Sequence, residues 1–72
     1  MKFEINKMYR INAISYSFNV FVVSRTNCYI TIHYLGKTVK LKIRNKFFGN
    51  MEFLQVPIFD TSVFCLAGNG VN

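Results

Sequence analysis

The sequence predicts a small, mainly antiparallel β fold, either all-β or β-rich α+β. Aromatic and β-branched residues, which favour strands, occur throughout the chain and include eight Phe and four Tyr. Apolar and basic residues alternate in KTVKLKIR, residues 37–44, as in a strand with one buried and one solvated face. Turn signals at 35–36 and 49–50 then divide the chain into lengths typical of strands. We therefore expect a four- to five-stranded antiparallel meander.

The N-terminal half is expected to supply two strands. Residues 14–24 form the first strand of the meander, and residues 3–11 add a fifth strand to it. A three-residue loop at 25–27 follows, and its last residue, an asparagine, tolerates the left-handed conformation that such loops need. This loop predicts that Val22 lies opposite Ile30, so that both side chains share the apolar face.

The dipeptide LG at 35–36 is the expected turn between strands at 28–34 and 37–48. A two-residue turn brings Ile32 opposite Val39 on an apolar face, while the polar residues meet on the other face. A shift of one residue would place apolar residues opposite polar ones, so the pattern selects this register. Because leucine is unfavourable at positive φ, we expect a type II turn with the glycine in third place.

The dipeptide GN at 49–50 is expected to form a second hairpin turn, followed by a strand at 51–59. In this register Ile43 lies opposite Val56 on the apolar side. Pro57 cannot donate a hydrogen bond to a neighbouring strand, so this strand should lie at an edge of the sheet.

Residues 60–68 are expected to form a short helix, with Asp60 as its N-cap and Gly68 at its end. The apolar face of the meander must be covered by another part of the structure. Two arrangements achieve this. The sheet curls into a small open barrel of SH3-like or OB-like kind, or the C-terminal helix packs on one face and two sheets associate into a dimer.

The charge of the chain is strongly asymmetric. Its 72 residues, a length that fits one domain at 1–72, carry nine Lys and Arg against three Asp and Glu, for a net charge of +6. Between Ile5 and Met51 there is no acidic residue. This imbalance favours a partner with negative charge, either the phosphates of a nucleic acid or an acidic protein surface.

The sequence does not contain a recognisable catalytic or metal-binding pattern, and we expect a non-enzymatic binding domain without cofactor or metal. His33 has no carboxylate near it in the predicted pairing, and a general base needs a positioned partner. The three acids, Glu4, Glu52 and Asp60, are too scattered to hold catalytic ions. Cys28, opposite Ile43 on the apolar face, is expected to be a buried small side chain.

The polar face of the predicted sheet is the candidate binding surface. Tyr29 lies opposite Lys42 in the chosen register, and an aromatic ring beside cations suits a single-stranded nucleic acid, because lysines follow phosphates and rings stack on bases. The predicted binding residues are Tyr29, Thr31, His33, Lys37, Lys40, Lys42, Arg44 and Lys46.

A second surface is expected at the tip of the hairpin around 49–50. Four large apolar side chains cluster there, and an exposed apolar cluster indicates a contact surface. A chain of this length also gains stability from a partner subunit. We therefore expect homodimerisation through Phe47, Phe48, Met51 and Phe53.

Two functions remain open from the sequence. The first is nucleic-acid binding, preferably of single strands. The second is that of a phage- or plasmid-type inhibitor, which would block a larger protein such as a nucleic-acid-processing host-defence enzyme; the many residues with AT-rich codons agree with this origin. A cytoplasmic location without a membrane partner is expected, because apolar runs such as VFVV at 20–23 are far too short to span a bilayer.

Overall fold

The computed structural model describes residues 1–46 and 49–71, which form mostly antiparallel β-sheet, as predicted. A single 3₁₀ turn is present in these residues, and they contain no α-helix. The strands in chain order are β1 (Met8–Asn12), β2 (Ser17–Arg25), β3 (Tyr29–Tyr34), β4 (Lys37–Lys42), β5 (Phe53–Ile58), β6 (Thr61–Leu66) and β7 (Gly70–Val71), and the 3₁₀ turn spans Ala67–Asn69 between β6 and β7.

The strands form two sheets. Five strands lie in the order β4-β3-β2-β1-β7, and β5 and β6 form a separate two-stranded sheet. β6 packs on β1 and β5 contacts β4, so the small sheet covers the inner face of the large one. The sheets do not close into a barrel, and the expected barrel is therefore wrong.

The core lies between the two sheets, on the predicted apolar face. Alternate side chains of each strand point inward because successive residues of a strand face opposite sides. The fully or almost fully buried side chains on this face are Val20, Val22, Ile30, Ile32, Val56 and Ile58. Phe18, Leu41 and Ile43 are partly buried against this core. Tyr9 and Ile11 add β1 to it.

The β3–β4 hairpin has the predicted register. Ile32 lies opposite Val39 and Tyr29 opposite Lys42. The turn, however, has φ of 49° at Leu35 and 78° at Gly36, two positive values that belong to type I′ and not to the predicted type II. Type I′ matches the twist of the two strands, and this outweighs the cost of a left-handed leucine.

The pairing of β2 with β3 differs from the prediction. Val22 lies opposite Ile32 instead of Ile30, a shift of two residues that leaves each side chain on its predicted face. A β-bulge between Val22 and Ser24 then changes the register by one residue and places Arg25 opposite Ile30. Because Ile30 is buried, the bulge turns the arginine toward the inner side of the sheet.

A strand, β6, occupies most of the segment predicted to be a helix, so the helix prediction is wrong. The chain reverses at Phe59 and Asp60, which brings Thr61 opposite Ile58. Thr61 and Val63 are β-branched and favour a strand, and the ladder with β5 satisfies the backbone groups that a helix would have satisfied internally.

The predicted pairing across the turn at 49–50 is also wrong. Val56 lies opposite Val63 instead of Ile43, and Arg44 pairs with Phe53 in an isolated bridge. Two backbone hydrogen bonds hold it, of 3.0 Å from the Arg44 amide and 2.7 Å from the Phe53 amide. The ladder of β5 is with β6, where Gln55 donates a hydrogen bond to the Ser62 hydroxyl.

The two faces of β4 can be compared with one pair of neighbouring substitutions. Leu41→Lys places a charge against the core, and we expect it to cost about 2 kcal/mol, the value of one buried leucine. This corresponds to a fall of roughly 10 °C in Tm. Lys42→Leu, on the exposed face, should change stability by less than about 0.5 kcal/mol. Thermal unfolding of both variants measures the difference, and equal effects would contradict the assignment of one buried and one exposed face to β4.

Candidate binding surface on the outer face of the large sheet

The outer face of the β3–β4 hairpin brings an aromatic ring and two lysines together. The Tyr29 side chain is 46% exposed, and Lys42 lies directly across from it. The Lys40 ammonium lies 5.3 Å from the centre of the Tyr29 ring, within the range of a cation–π contact. One lysine therefore contacts the ring, the other lies beside it, and both remain exposed to solvent.

Three more polar side chains continue this surface along the hairpin. Thr31 lies opposite Lys40, and His33 lies opposite Thr38. His33 Nδ1 and the Thr38 hydroxyl oxygen are hydrogen-bonded at 3.0 Å, which fixes the imidazole on the outer face. We call Tyr29, Thr31, His33, Lys40 and Lys42 the basic strip.

Lys37 belongs to the predicted binding set but lies apart from the basic strip. It is opposite Tyr34, whose ring is buried on the inner side of the sheet. The Lys37 ammonium lies 5.1 Å from the centre of that ring, and the Tyr34 hydroxyl donates a hydrogen bond to the Pro57 carbonyl. Lys37 thus carries its charge at the edge of the opposite face.

Arg44 and Lys46 extend the positive charge beyond the end of β4. Together with Lys42 they border an open depression of about 290 Å³, whose apolar lining includes Ile43 and Phe53. Its volume is at the lower limit of small-molecule sites. Three cations at its border make the depression suitable for an anion.

The basic strip has no acidic neighbour in the described part of the chain. The salt bridges there join Lys7 to Glu4 and Arg25 to Glu52. The remaining carboxylate, Asp60, lies in the turn between β5 and β6. The charge of the strip is therefore available to a partner.

Sequence reasoning missed the contribution of β1 and β2 to this face. Arg10 is exposed opposite Asn19, and its guanidinium donates a 2.8 Å hydrogen bond to the Ser17 hydroxyl. Met8 lies opposite Phe21, which in turn lies opposite His33. The signal was present in MYRIN, where apolar and polar residues alternate after the methionine, but the partner strand of this segment could not be assigned from sequence.

A buried ion pair, Arg25–Glu52, was also missed. The two guanidinium Nη atoms donate hydrogen bonds of 2.6 and 2.9 Å to the two carboxylate oxygens. The carboxylate also accepts a 2.8 Å hydrogen bond from the Phe3 amide, and the Phe3 carbonyl accepts one from Arg25. Only 13% of the Arg25 side chain and 8% of the Glu52 side chain are exposed. This cluster joins the N-terminal segment to both sheets.

The pKa of Glu52 is set by two opposing effects. Burial raises the pKa of the carboxyl, but the hydrogen bonds from Arg25 and from the Phe3 amide outweigh it and hold the pKa below its ordinary value. The hydrogen bond to Glu52 likewise raises the pKa of Arg25. The pair is therefore fully charged at neutral pH and has a structural role.

The two cysteines differ from each other. Cys28 is exposed, so the prediction that it is buried is wrong: its carbonyl accepts a hydrogen bond from the Ile43 amide, while its side chain points to solvent. Cys65 is buried, and burial raises the pKa of its thiol to about 12. Both thiols are free.

Across residues 1–46 and 49–71, His, Cys, Asp and Glu side chains do not converge in groups of three or more that could hold a metal ion. Nor do these residues include a helix long and apolar enough to cross a membrane. The expectation that the chain is not an enzyme stays a prediction.

Two of the four residues of the predicted dimer contact pack inside the folded chain. Phe53 is almost completely buried, with its ring edge-on to Phe64 at 5.5 Å, and Met51 is half-buried against the core. Phe47 and Phe48 lie outside the described residues. Met51 and Phe53 thus stabilise the folded chain itself, and homodimerisation stays a prediction.

Comparison of the chain with protein-family models, with curated proteins and with solved structures found no match.

Proposed function

We propose that this chain is a non-enzymatic binding domain that holds single-stranded nucleic acid on the basic strip. The observation that carries the proposal is the exposed Tyr29 ring on β3, with Lys42 opposite it on β4 and the Lys40 ammonium 5.3 Å from the ring centre. The two neighbouring strands together offer an aromatic ring on which a base can stack and cations for the adjoining phosphates.

The charge beyond the strip supports the same partner. A nucleic-acid backbone carries phosphates at regular intervals, and a row of cations along one strand can contact several of them. A row of cations runs along β4 and past its end: Lys40, Lys42, Arg44 and Lys46. The last two of them border the depression. We propose that the nucleic acid follows this row.

Binding to a fluorescent single-stranded oligonucleotide at several salt concentrations tests the proposal. Three or four phosphate contacts would give a slope of log K against log salt of roughly −2 to −3 on a single strand. Tyr29→Ala should weaken binding by about 1–3 kcal/mol if the ring stacks on a base. Tyr29→Phe, which keeps the ring, is the matched control and should bind almost as the wild type does.

The alternative function gives a different result in the same assay. An inhibitor that binds an acidic protein surface would not bind fluorescent single- or double-stranded oligonucleotides, even in low salt. That outcome would contradict the proposal and favour the protein partner.

A further inference from the structure

Three turns place large apolar side chains at one end of the molecule, which we call the turn end. Ile14 lies in the turn between β1 and β2, Leu35 in the turn between β3 and β4, and Phe59 in the turn between β5 and β6. Ile14 is fully exposed, Phe59 is 89% exposed and Leu35 is 57% exposed.

The strand directions bring these turns to the same end. β1 and β3 are both antiparallel to β2, so they run in one direction and their following turns lie together. The antiparallel bridge between Arg44 and Phe53 gives β5 that direction too. The hydrogen bond from the Tyr34 hydroxyl to the Pro57 carbonyl joins the ends of β3 and β5 directly.

The backbone at two of these positions is unfavourable for the residue that occupies it. Leu35 and Phe59 have φ of 49° and 50°, in the left-handed region that Gly, Asn and Asp adopt more easily. Neither the turn nor the core needs a large apolar side chain there, because both side chains point into solvent. Both residues strain the backbone and expose a large apolar side chain. This combination indicates that the two side chains contact a partner outside the chain.

We propose that the turn end docks on an anionic lipid surface, with Ile14, Leu35 and Phe59 inserted among the lipid headgroups. The three side chains protrude separately, so a rigid protein partner would need one matching pocket for each of them. Lipid headgroups are fluid and can rearrange around each side chain. Apolar and aromatic side chains are the ones that bind at the membrane interface. This proposal departs from the sequence-based expectation of no membrane partner, which rested on the lack of an apolar run long enough to span a bilayer; a contact at the lipid surface needs no such run.

The charges near the turn end agree with a negative surface. Lys37 begins β4, Lys40 lies three residues further along it, and Arg10 lies two residues before the end of β1. At roughly 3.3 Å per residue, all three are within about 10 Å of the ends of their strands, close to the Debye length in physiological salt. Asp60 is the one carboxylate in the described turns at this end. The same positive charge disfavours a second copy of the chain as the partner.

Co-sedimentation with vesicles of phosphatidylcholine mixed with phosphatidylglycerol tests this proposal. The wild type should bind these vesicles more tightly than vesicles of phosphatidylcholine alone. Leu35→Asn and Phe59→Asn should each weaken binding about tenfold, because each removes one buried apolar side chain. Since asparagine favours positive φ, both variants should keep or raise the wild-type Tm.

Ile5→Asn is the matched control, because Ile5 is about half exposed in the turn before β1, at the opposite end. It should leave vesicle binding unchanged. Phe59→Trp gives a second readout, since its emission should shift to the blue on insertion; the chain has no other Trp. Failure of the wild type to bind either vesicle, equal binding to both kinds, or unchanged binding of Leu35→Asn and Phe59→Asn would overturn the proposal. So would self-association of the wild type that Phe59→Asn abolishes, which would assign the turn end to a second copy.

Discussion

The Glu52→Ala variant is expected to have a much lower free energy of unfolding than the wild type. It leaves the Arg25 guanidinium charged and almost buried, and it removes the acceptor of the Phe3 amide hydrogen bond. Loss of one partner of a buried ion pair costs about 3–5 kcal/mol. Single domains have roughly 0.05–0.15 kcal/mol of stability per residue, which makes this cost a large share of the total for a chain of this length. Urea unfolding followed by circular dichroism measures it.

Glu4→Ala is the matched control. Glu4 forms an exposed 3.3 Å salt bridge with Lys7, and such pairs contribute between about 0 and 1 kcal/mol. The double variant Arg25→Met with Glu52→Leu removes both charges and should recover much of the lost stability. If Glu52→Ala were as stable as Glu4→Ala, the buried pair would not hold the N-terminal segment to the sheets.

Acid should weaken the same cluster. The pKa of Glu52 is lowered in the folded chain, so its contribution to stability is complete above its ordinary value of 4.5 and is lost as the pH falls through the folded pKa. The urea midpoint of the wild type should therefore fall in this acidic range. Glu52→Gln, which cannot ionise, should show a weaker dependence on pH there.

Reversal of two charges on the basic strip is expected to abolish most of the proposed nucleic-acid binding. Lys40→Glu with Lys42→Glu turns attraction to phosphate into repulsion at both positions. At about 4 Å in water each interaction is worth about 1 kcal/mol, so each reversal costs about 2 kcal/mol, or roughly thirtyfold in affinity. Both side chains are exposed, so the fold should remain. Fluorescence anisotropy with a single-stranded oligonucleotide gives the affinity.

Lys37→Glu makes the same change in charge on the same strand but on the other face, where Lys37 lies over the Tyr34 ring. It should weaken binding much less than Lys42→Glu does. Equal effects of the two reversals would indicate attraction by net charge alone, without a defined surface.

Much of the fold could be predicted where local alternation decides it. The β3–β4 register was correct because any shift by one residue mixes apolar and polar faces. The β2–β3 register was wrong by two residues, a shift that leaves the faces unchanged and therefore leaves no trace in the pattern. The segment after Phe59 is a strand and not the predicted helix. The strand preference of Thr61 and Val63 outweighs the helix-capping signal of Asp60.

In the candidate site, too, the local contacts could be predicted from sequence and the long-range contacts could not. The pairing of Tyr29 with Lys42 follows from one hairpin and was predicted. The Arg25–Glu52 pair spans 27 residues and depends on a bulge that changes the face of Arg25, so no local pattern indicates it. An acid between Met51 and Phe53 was the available sign that Glu52 is buried and paired.

The position of Glu52 has a consequence for the order of events in folding. Its hydrogen bonds join segments 27 and 49 residues away along the chain, whereas the β3–β4 hairpin closes over two residues. Contacts over long separations form after local ones, because the entropy of loop closure must first be overcome. We therefore expect Glu52→Gln to accelerate unfolding several-fold in stopped-flow experiments while it changes the refolding rate little. The lifetime of the native state, more than the speed of reaching it, would then depend on this one carboxylate.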